Sequence, residues 1–328
     1  MTAPILSVRD LKVHFPLPAG GLFRRQWIAL RAVDGVTFDV LPGETLGVVG
    51  ESGCGKSTLG RAVLQLIPPS SGQVVWLGQN IAGLEHRAMR PFRREMQIIF
   101  QDPLASLDPR MTVGEIVAEP LKTHEPALKK PEIRARVREM LEAVGLLPQM
   151  INRYPHEFSG GQCQRIGIAR AMILKARLIV CDEPVSALDV SIQAQIVNLL
   201  MRLQKEFGLA LIFISHNLAI VRHISHRILV LYLGRMMELA TRDGIYDNPR
   251  HPYTQALISA VPIPDPRLER QKPQLVISGE LPSPLRPPSG CVFRTRCPRA
   301  QALCAREVPV FERIEPEHDV ACHYWRDT

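Results

Sequence analysis

The sequence predicts an α/β fold assembled around a phosphate site, and three observations carry that expectation. First, Gly50-Glu51-Ser52-Gly53-Cys54-Gly55-Lys56-Ser57-Thr58 reads G-x-x-x-x-G-K-S-T, between a short apolar run (Thr45 to Val49) and a stretch with helical spacing (Leu59 to Ile67). Second, further short apolar runs (Val74 to Leu77, Met96 to Phe100, Leu209 to Ile214) alternate with helical patterns. Third, Leu178-Ile179-Val180-Cys181-Asp182-Glu183 is an apolar strand that ends in two acids.

The first stretch has the chemistry of a phosphate loop. Glycines let the backbone curl so that successive N–H groups converge on an anion, and the helix N-terminus adds partial positive charge. Lys56 is placed to reach the β- and γ-phosphates and Ser57 to hold Mg²⁺, with Gly50 through Thr58 as candidate nucleotide contacts.

Upstream, Ile5 to Phe15 alternates as a strand, with Pro16 and Pro18-Ala19-Gly20-Gly21 expected to end it, and a second strand pair is expected across Ala29 to Val40. Phe15 then stands at a strand end, where an aromatic ring can stack on an adenine; an aromatic in a strand is more often part of a core.

Downstream, Gln101 follows a strand and can offer an amide oxygen to Mg²⁺ or to a water. The region from Val113 to Leu147 is mainly helical, punctuated by Pro120, Pro126 and Pro131. Phe158-Ser159-Gly160-Gly161-Gln162 precedes a helical run from Arg165 to Leu174, so Ser159 and the N–H groups of Gly160 and Gly161 form a candidate second anion site, although such triplets are often plain turns. Asp182 suits a water-mediated Mg²⁺ contact, and Glu183 is placed to polarise a water attacking the γ-phosphate. Ser186-Ala187-Leu188-Asp189 follows directly, and His216 stands at the exit of the Leu209 to Ile214 strand.

Composition excludes several classes. At 328 residues and 46% hydrophobic content the chain can bury one large domain and a smaller one. Its longest apolar runs are about six residues, against the roughly 20 a spanning helix needs. The start Met1-Thr2-Ala3-Pro4 lacks a basic or apolar leader, so a reducing cytoplasm is the expected compartment. The net charge of +8 is spread over helices in which Arg and Lys interleave with Glu, and the segment from Cys291 on balances six Arg against six acids. No basic arm or recognition motif points to nucleic acid.

Taken in order, the phosphate loop, Gln101, FSGGQ, LIVCDE, SALD and His216 resemble the ATP-binding cassette ATPases over residues 5 to 250, with Phe158 where Leu is usual and Asn217 where Asp is common. The resemblance implies a P-loop NTPase fold: a RecA-like core, an N-terminal antiparallel β subdomain and an inserted α-helical subdomain at about 102–170, all within 1–255. It also implies that Lys56, Ser57, Gln101 and Asp182 hold ATP and Mg²⁺, that Glu183 is the general base and His216 the switch, and that Phe15 stacks on adenine. Ser159, Gly160, Gly161 and Gln162 would complete the site of a partner cassette.

His156 to Arg165, Asn248 to Thr254 and Glu280 to Pro284, with the cysteine tail, resemble more narrowly the ATPase subunits of bacterial oligopeptide and dipeptide importers. That implies a second cassette ATPase, two permeases, an external peptide-binding protein and a place on the cytoplasmic face of the membrane. Importers of glutathione, nickel and murein peptides share these motifs. A soluble cassette ATPase of DNA repair or translation would ordinarily carry a coiled-coil insertion or two cassettes, and a nucleotide kinase or GTPase would leave FSGGQ, SALD and His216 without a purpose.

Of seven cysteines, Cys54, Cys163 and Cys181 lie within the motifs and read as small fillers, with Cys54 a possible target of thiol reagents. Cys291, Cys297, Cys304 and Cys322 follow a proline-rich linker (256–290) in a 291–328 tail, with spacings x5, x6 and x17. Four thiols in a short tail that is otherwise poor in hydrophobic residues suggest a metal, yet no C-x₂₋₄-C zinc knuckle occurs. The importer resemblance implies a [4Fe–4S] cluster; zinc is the alternative, with His318 and His323 as substitute ligands.

Overall fold

The computed structural model describes residues 3–18, 27–262, 265–271, 275, 277 and 279–327. In chain order the elements are β1 (Leu6–Pro18), β2 (Trp27–Val40), β3 (Thr45–Val49), α1 (Lys56–Val63), β4 (Ser71–Trp76), β5 (Gln79–Asn80), α2 (His86–Glu95), β6 (Met96–Ile99), α3 (Val113–His124), α4 (Lys130–Ala143) and α5 (Gly160–Met172). They continue with β7 (Leu178–Asp182), α6 (Val190–Phe207), β8 (Ala210–Ile214), α7 (Leu218–Ile224), β9 (Arg227–Tyr232), β10 (Arg235–Thr241), α8 (Arg242–Asp247), α9 (Pro252–Ser259), α10 (Pro266–Gln271), α11 (Ala302–Arg306), β11 (Glu312–Glu315) and β12 (His318–Val320). Among the described residues no helix is long and apolar enough to cross a membrane.

Two compact units share these elements. One gathers Leu41–Thr45 and Leu84–Ser215; the other gathers Pro4–Val40, Leu46–Gly83 and the chain from His216 on.

In the first unit β6, β7 and β8 run parallel, with Met96 opposite Leu178 and Leu178 opposite Ala210. Every residue of β7 and β8 is buried, as a parallel sheet covered on both faces requires, which is why these strands read as unbroken apolar runs. The helical region divides at Pro126: α3 is capped by Thr112, whose hydroxyl accepts from Glu115 N–H while the Glu115 carboxylate accepts from Thr112 N–H, and Pro131 sits in the first turn of α4. The basic residues on these helices are mostly solvated. Arg94 and Arg136 both pair with Glu125 at 2.7 Å.

In the second unit β2, β1, β4 and β5 form an antiparallel sheet in that order, the antiparallel β layer expected of the N-terminal region. Two expectations are corrected here. Ala29 to Val40 lies in one 14-residue strand rather than a strand pair. Pro16 does not end β1: β4 leaves β1 after Lys12, so Pro16 and Pro18 occupy an edge where their missing N–H groups cost no ladder bond. Ala19-Gly20-Gly21 lies outside the described residues.

The same unit carries a mixed sheet in which β3 pairs parallel to β9, followed by β10, β12 and β11 in antiparallel order. The cysteine tail thus adds two strands to a sheet and buries Val292, Phe293 and Val320. It is better packed than its composition suggests. In the proline-rich segment α10 forms a short helix, while residues 263, 264, 272–274, 276 and 278 lie outside the described ones.

Candidate functional site

β3 delivers the chain into the phosphate loop, and two of the loop's glycines, Gly50 and Gly55, are required by space as well as by φ, while Gly53 (φ 79°) is required by φ alone. A Cβ on Gly50 (φ 151°) would stand 2.1 Å from the Leu231 carbonyl, and one on Gly55 (φ 103°) 2.0 Å from the Ala32 carbonyl. Gly55 is also the left-handed N-cap of α1. Lys56 is only 4% exposed, and its Nζ donates to the Gly50 carbonyl at 2.8 Å and the Glu51 carbonyl at 2.9 Å. The ammonium is therefore pre-placed over the loop it serves, with Ser57 next in the first turn of α1. Cys54, 2% exposed, lies 3.8 Å from Lys56 Nζ, and burial pushes its thiol up despite that cation.

In the other unit, the C-terminal ends of the parallel strands gather the acidic pair and the glutamine. Asp182, 1% exposed, is the last residue of β7, and Glu183 follows with φ 47°. A left-handed glutamate costs on the order of 1 kcal/mol or more, and such strain collects where a side chain must be aimed. The Glu183 N–H is held by the Ile214 carbonyl at the end of β8, 3.1 Å away. Gln101, just beyond β6, donates through Nε2 to Glu183 Oε2 at 3.4 Å. His216 is exposed two residues after β8, and Asn217 caps α7 by accepting from Ile220 N–H, so the Asn at that position keeps a capping role.

Ser159 is the N-cap of α5 in a full capping box: its hydroxyl accepts from Gln162 N–H at 3.4 Å, and the Gln162 amide oxygen accepts from Ser159 N–H at 3.0 Å. The helix therefore begins at Gly160, five residues earlier than its apolar spacing implied. A Cβ on Gly161 would meet Ile192 Cγ2 at 2.5 Å. Gly161 thus has a packing role. Phe15 lies near the far end of β1, opposite Leu30 and half-buried.

Cys291, Cys297, Cys304 and Cys322 line one cavity of about 20 Å³ together with Phe293 and His323. Desolvation pushes the Cys291 and Cys322 thiols up to about 11 and raises Cys297 as well, so burial favours the neutral thiols. Among the described residues, no three His, Cys, Asp or Glu side chains are drawn together into a metal-ligand group. His318, a candidate substitute ligand, is engaged elsewhere: its Nε2 lies 2.6 Å from Glu238 in a fully buried pair.

Comparison with known proteins agrees with this geometry. Residues 33–186 match the model of the ABC transporter family, and residues 237–304 that of the oligopeptide/dipeptide transporter C-terminal region. The oligopeptide transport ATP-binding protein OppF of Salmonella typhimurium (strain LT2) is 60% identical, covering 97% of this chain and 95% of that protein. The oligopeptide transport ATP-binding protein AppF of Bacillus subtilis (strain 168) is 53% identical over 98% and 97%. Among solved structures, the dimeric post-hydrolysis state of the ATP-binding cassette MJ0796 bound to ADP and Pi aligns with a TM-score of 0.64 at 28% identity, covering 72% of this chain and 98% of that one. The chain belongs to the ABC transporter ATPases, within the oligopeptide/dipeptide transporter branch.

Proposed function

We infer that this chain is the ATP-hydrolysing subunit of an importer for oligopeptides or dipeptides. The observation that carries the reading is 60% identity to an oligopeptide transport ATP-binding protein along nearly the whole chain, with the phosphate loop, FSGGQ and the strand-end acids all present.

In this reading Gly50 to Thr58 cradle the ATP phosphates, Lys56 neutralises β/γ charge, and Ser57, Gln101 and Asp182 hold Mg²⁺ and its waters. Glu183 takes the proton of the attacking water, His216 contacts the γ-phosphate, and Phe15 stacks on adenine. Ser159, Gly160, Gly161 and Gln162 serve the nucleotide of a second cassette. Hydrolysis resets a closed pair of cassettes, and closure rather than chemistry does the transport work.

The partners in this reading are a second, different cassette ATPase, two membrane permeases and an extracytoplasmic peptide-binding protein, with this chain peripheral on the cytoplasmic face. We also assign Cys291, Cys297, Cys304 and Cys322 to a [4Fe–4S] cluster, with zinc as the alternative. Four thiols around one cavity support the assignment. The group would cross-link the tail.

The test is ATP hydrolysis by the purified chain with and without its permeases in membranes. Hydrolysis that depends on the permeases and rises with delivered peptide supports the reading. Full activity of the isolated chain, unaffected by permeases, overturns it.

A further inference from the structure

The phosphate loop is gripped from outside at one residue. Tyr253, early in α9, accepts the Glu51 backbone N–H at its Oη (2.9 Å), and Arg296, in the cysteine tail, donates to the Glu51 carboxylate at 2.7 Å. Arg296 also lies 3.4 Å from Tyr232 Oη. Neither gripping side chain is a surface group: Tyr253 is fully buried and the Arg296 side chain is 10% exposed.

The grip is built into a packed cluster. Phe293 meets Tyr232 edge-on at 5.3 Å and Tyr253 at 5.2 Å, and Tyr232 and Tyr253 lie 4.8 Å apart. Behind Tyr253, its own N–H donates to His251 Nδ1, and the N–H groups of Arg250 and His251 donate to Glu238, the buried partner of His318 in β12. Hydrogen bonds and ring contacts therefore run unbroken from the last strand of the tail to Glu51.

Glu51 is a telling place to hold. Lys56 Nζ donates to the carbonyls of Gly50 and Glu51, so a shift at Glu51 moves the acceptors that place the lysine. The loop's glycines give it little conformational preference of its own. A largely desolvated arginine–carboxylate bond supplies the missing constraint far better than a solvent-exposed pair.

We propose that Tyr253 and Arg296 are positioning residues for nucleotide binding, holding the phosphate loop through Glu51 in the form that receives the β- and γ-phosphates. The proposal rests on the reading of Gly50 to Thr58 as the ATP site. It gives the C-terminal region a second task, that of a clamp on the nucleotide loop.

The experiment measures ATP Kd, KM and kcat, with Tm in the absence of nucleotide, for full-length Arg296→Gln, Arg296→Lys, Tyr253→Phe, Glu51→Gln and the Arg296→Gln/Glu51→Gln double variant. Lys56→Ala runs in parallel. Arg296→Gln is expected to raise Kd and KM about 10-fold with kcat within about twofold, and Tyr253→Phe to raise them about fivefold, the scale of one charged and one neutral hydrogen bond. Arg296→Lys restores part of the loss, and the double variant is no worse than the worse single. The proposal is overturned if Arg296→Gln leaves Kd unchanged, if it lowers Tm alone, or if the paired effects add in full. Loss of binding in Lys56→Ala with no effect at Arg296 rejects the clamp alone; no effect of Lys56→Ala rejects the ATP-site reading itself.

Discussion

Gln101 and Glu183 stand at the ends of neighbouring parallel strands, amide nitrogen to carboxylate oxygen 3.4 Å, with Glu183 held in a left-handed backbone conformation. The glutamine steers one carboxylate oxygen, and the Glu183 N–H bond to Ile214 fixes the backbone beneath it. Glu183→Gln keeps this shape and removes the carboxylate proposed above as the proton acceptor. Single-turnover ATP hydrolysis is expected to fall by about 100-fold or more while ATP affinity stays within a few-fold, the range of a lost general base. Normal turnover in this variant rejects the assignment.

The FSGGQ turn makes a packing prediction independent of ATP. A Cβ at Gly161 lies 2.5 Å from Ile192 Cγ2, so Gly161→Ala overpacks the contact between the starts of α5 and α6. Thermal melts should show a loss of about 1–3 kcal/mol. Adding Ile192→Ala removes the opposing methyl and recovers part of the stability; a double variant less stable than Gly161→Ala would disprove the steric cause.

Asp34 is the hub of an ion cluster, with Arg235 at 2.8 and 3.0 Å and His14 Nε2 at 3.0 Å. Burial alone raises its carboxyl, but the bonds to Arg235 and His14 outweigh that and leave it below the usual carboxylate range. A carboxylate with a depressed folded value binds fewer protons than its unfolded form between the two values. Its contribution is therefore fully present above about pH 4 and is lost as pH falls through the lower folded value. Asp34→Asn should cost about 2 kcal/mol at neutral pH and flatten the acid limb of a Tm-against-pH curve. An unaltered acid limb contradicts the cluster's role.

For the tail, anaerobic purification followed by iron, sulfide and zinc analysis is expected to give about four iron per chain, the stoichiometry of one [4Fe–4S] cluster. Cys297→Ser and Cys322→Ser are each expected to lower it. Equal metal content after replacing all four cysteines removes them as ligands.

Much of the site was legible in the sequence because its chemistry is local. The phosphate loop, FSGGQ and LIVCDE each place their residues within one strand-to-helix or strand-to-loop junction, and the structure builds those junctions where the apolar runs stop. What escaped was non-local or too short to have a period. The β11–β12 hairpin is made of four- and three-residue strands, too short to show a period, and the Arg296–Glu51 pair is separated by 245 positions. Pro16 misled for a physical reason: proline ends a strand only where both edges are paired, and β1 has lost one partner by then. Glu183's positive φ leaves no mark on its residue type, and Cys54's burial follows from packing beneath the loop.

The measurement that tests the central claim most directly is peptide uptake into sealed proteoliposomes containing this chain, a partner cassette, the permeases and the peptide-binding protein, with ATP supplied on the cassette side. The account predicts uptake that requires ATP and is lost when this chain carries Glu183→Gln. Uptake continuing at the wild-type rate with that variant, or ATP consumption indifferent to delivered peptide, would contradict it.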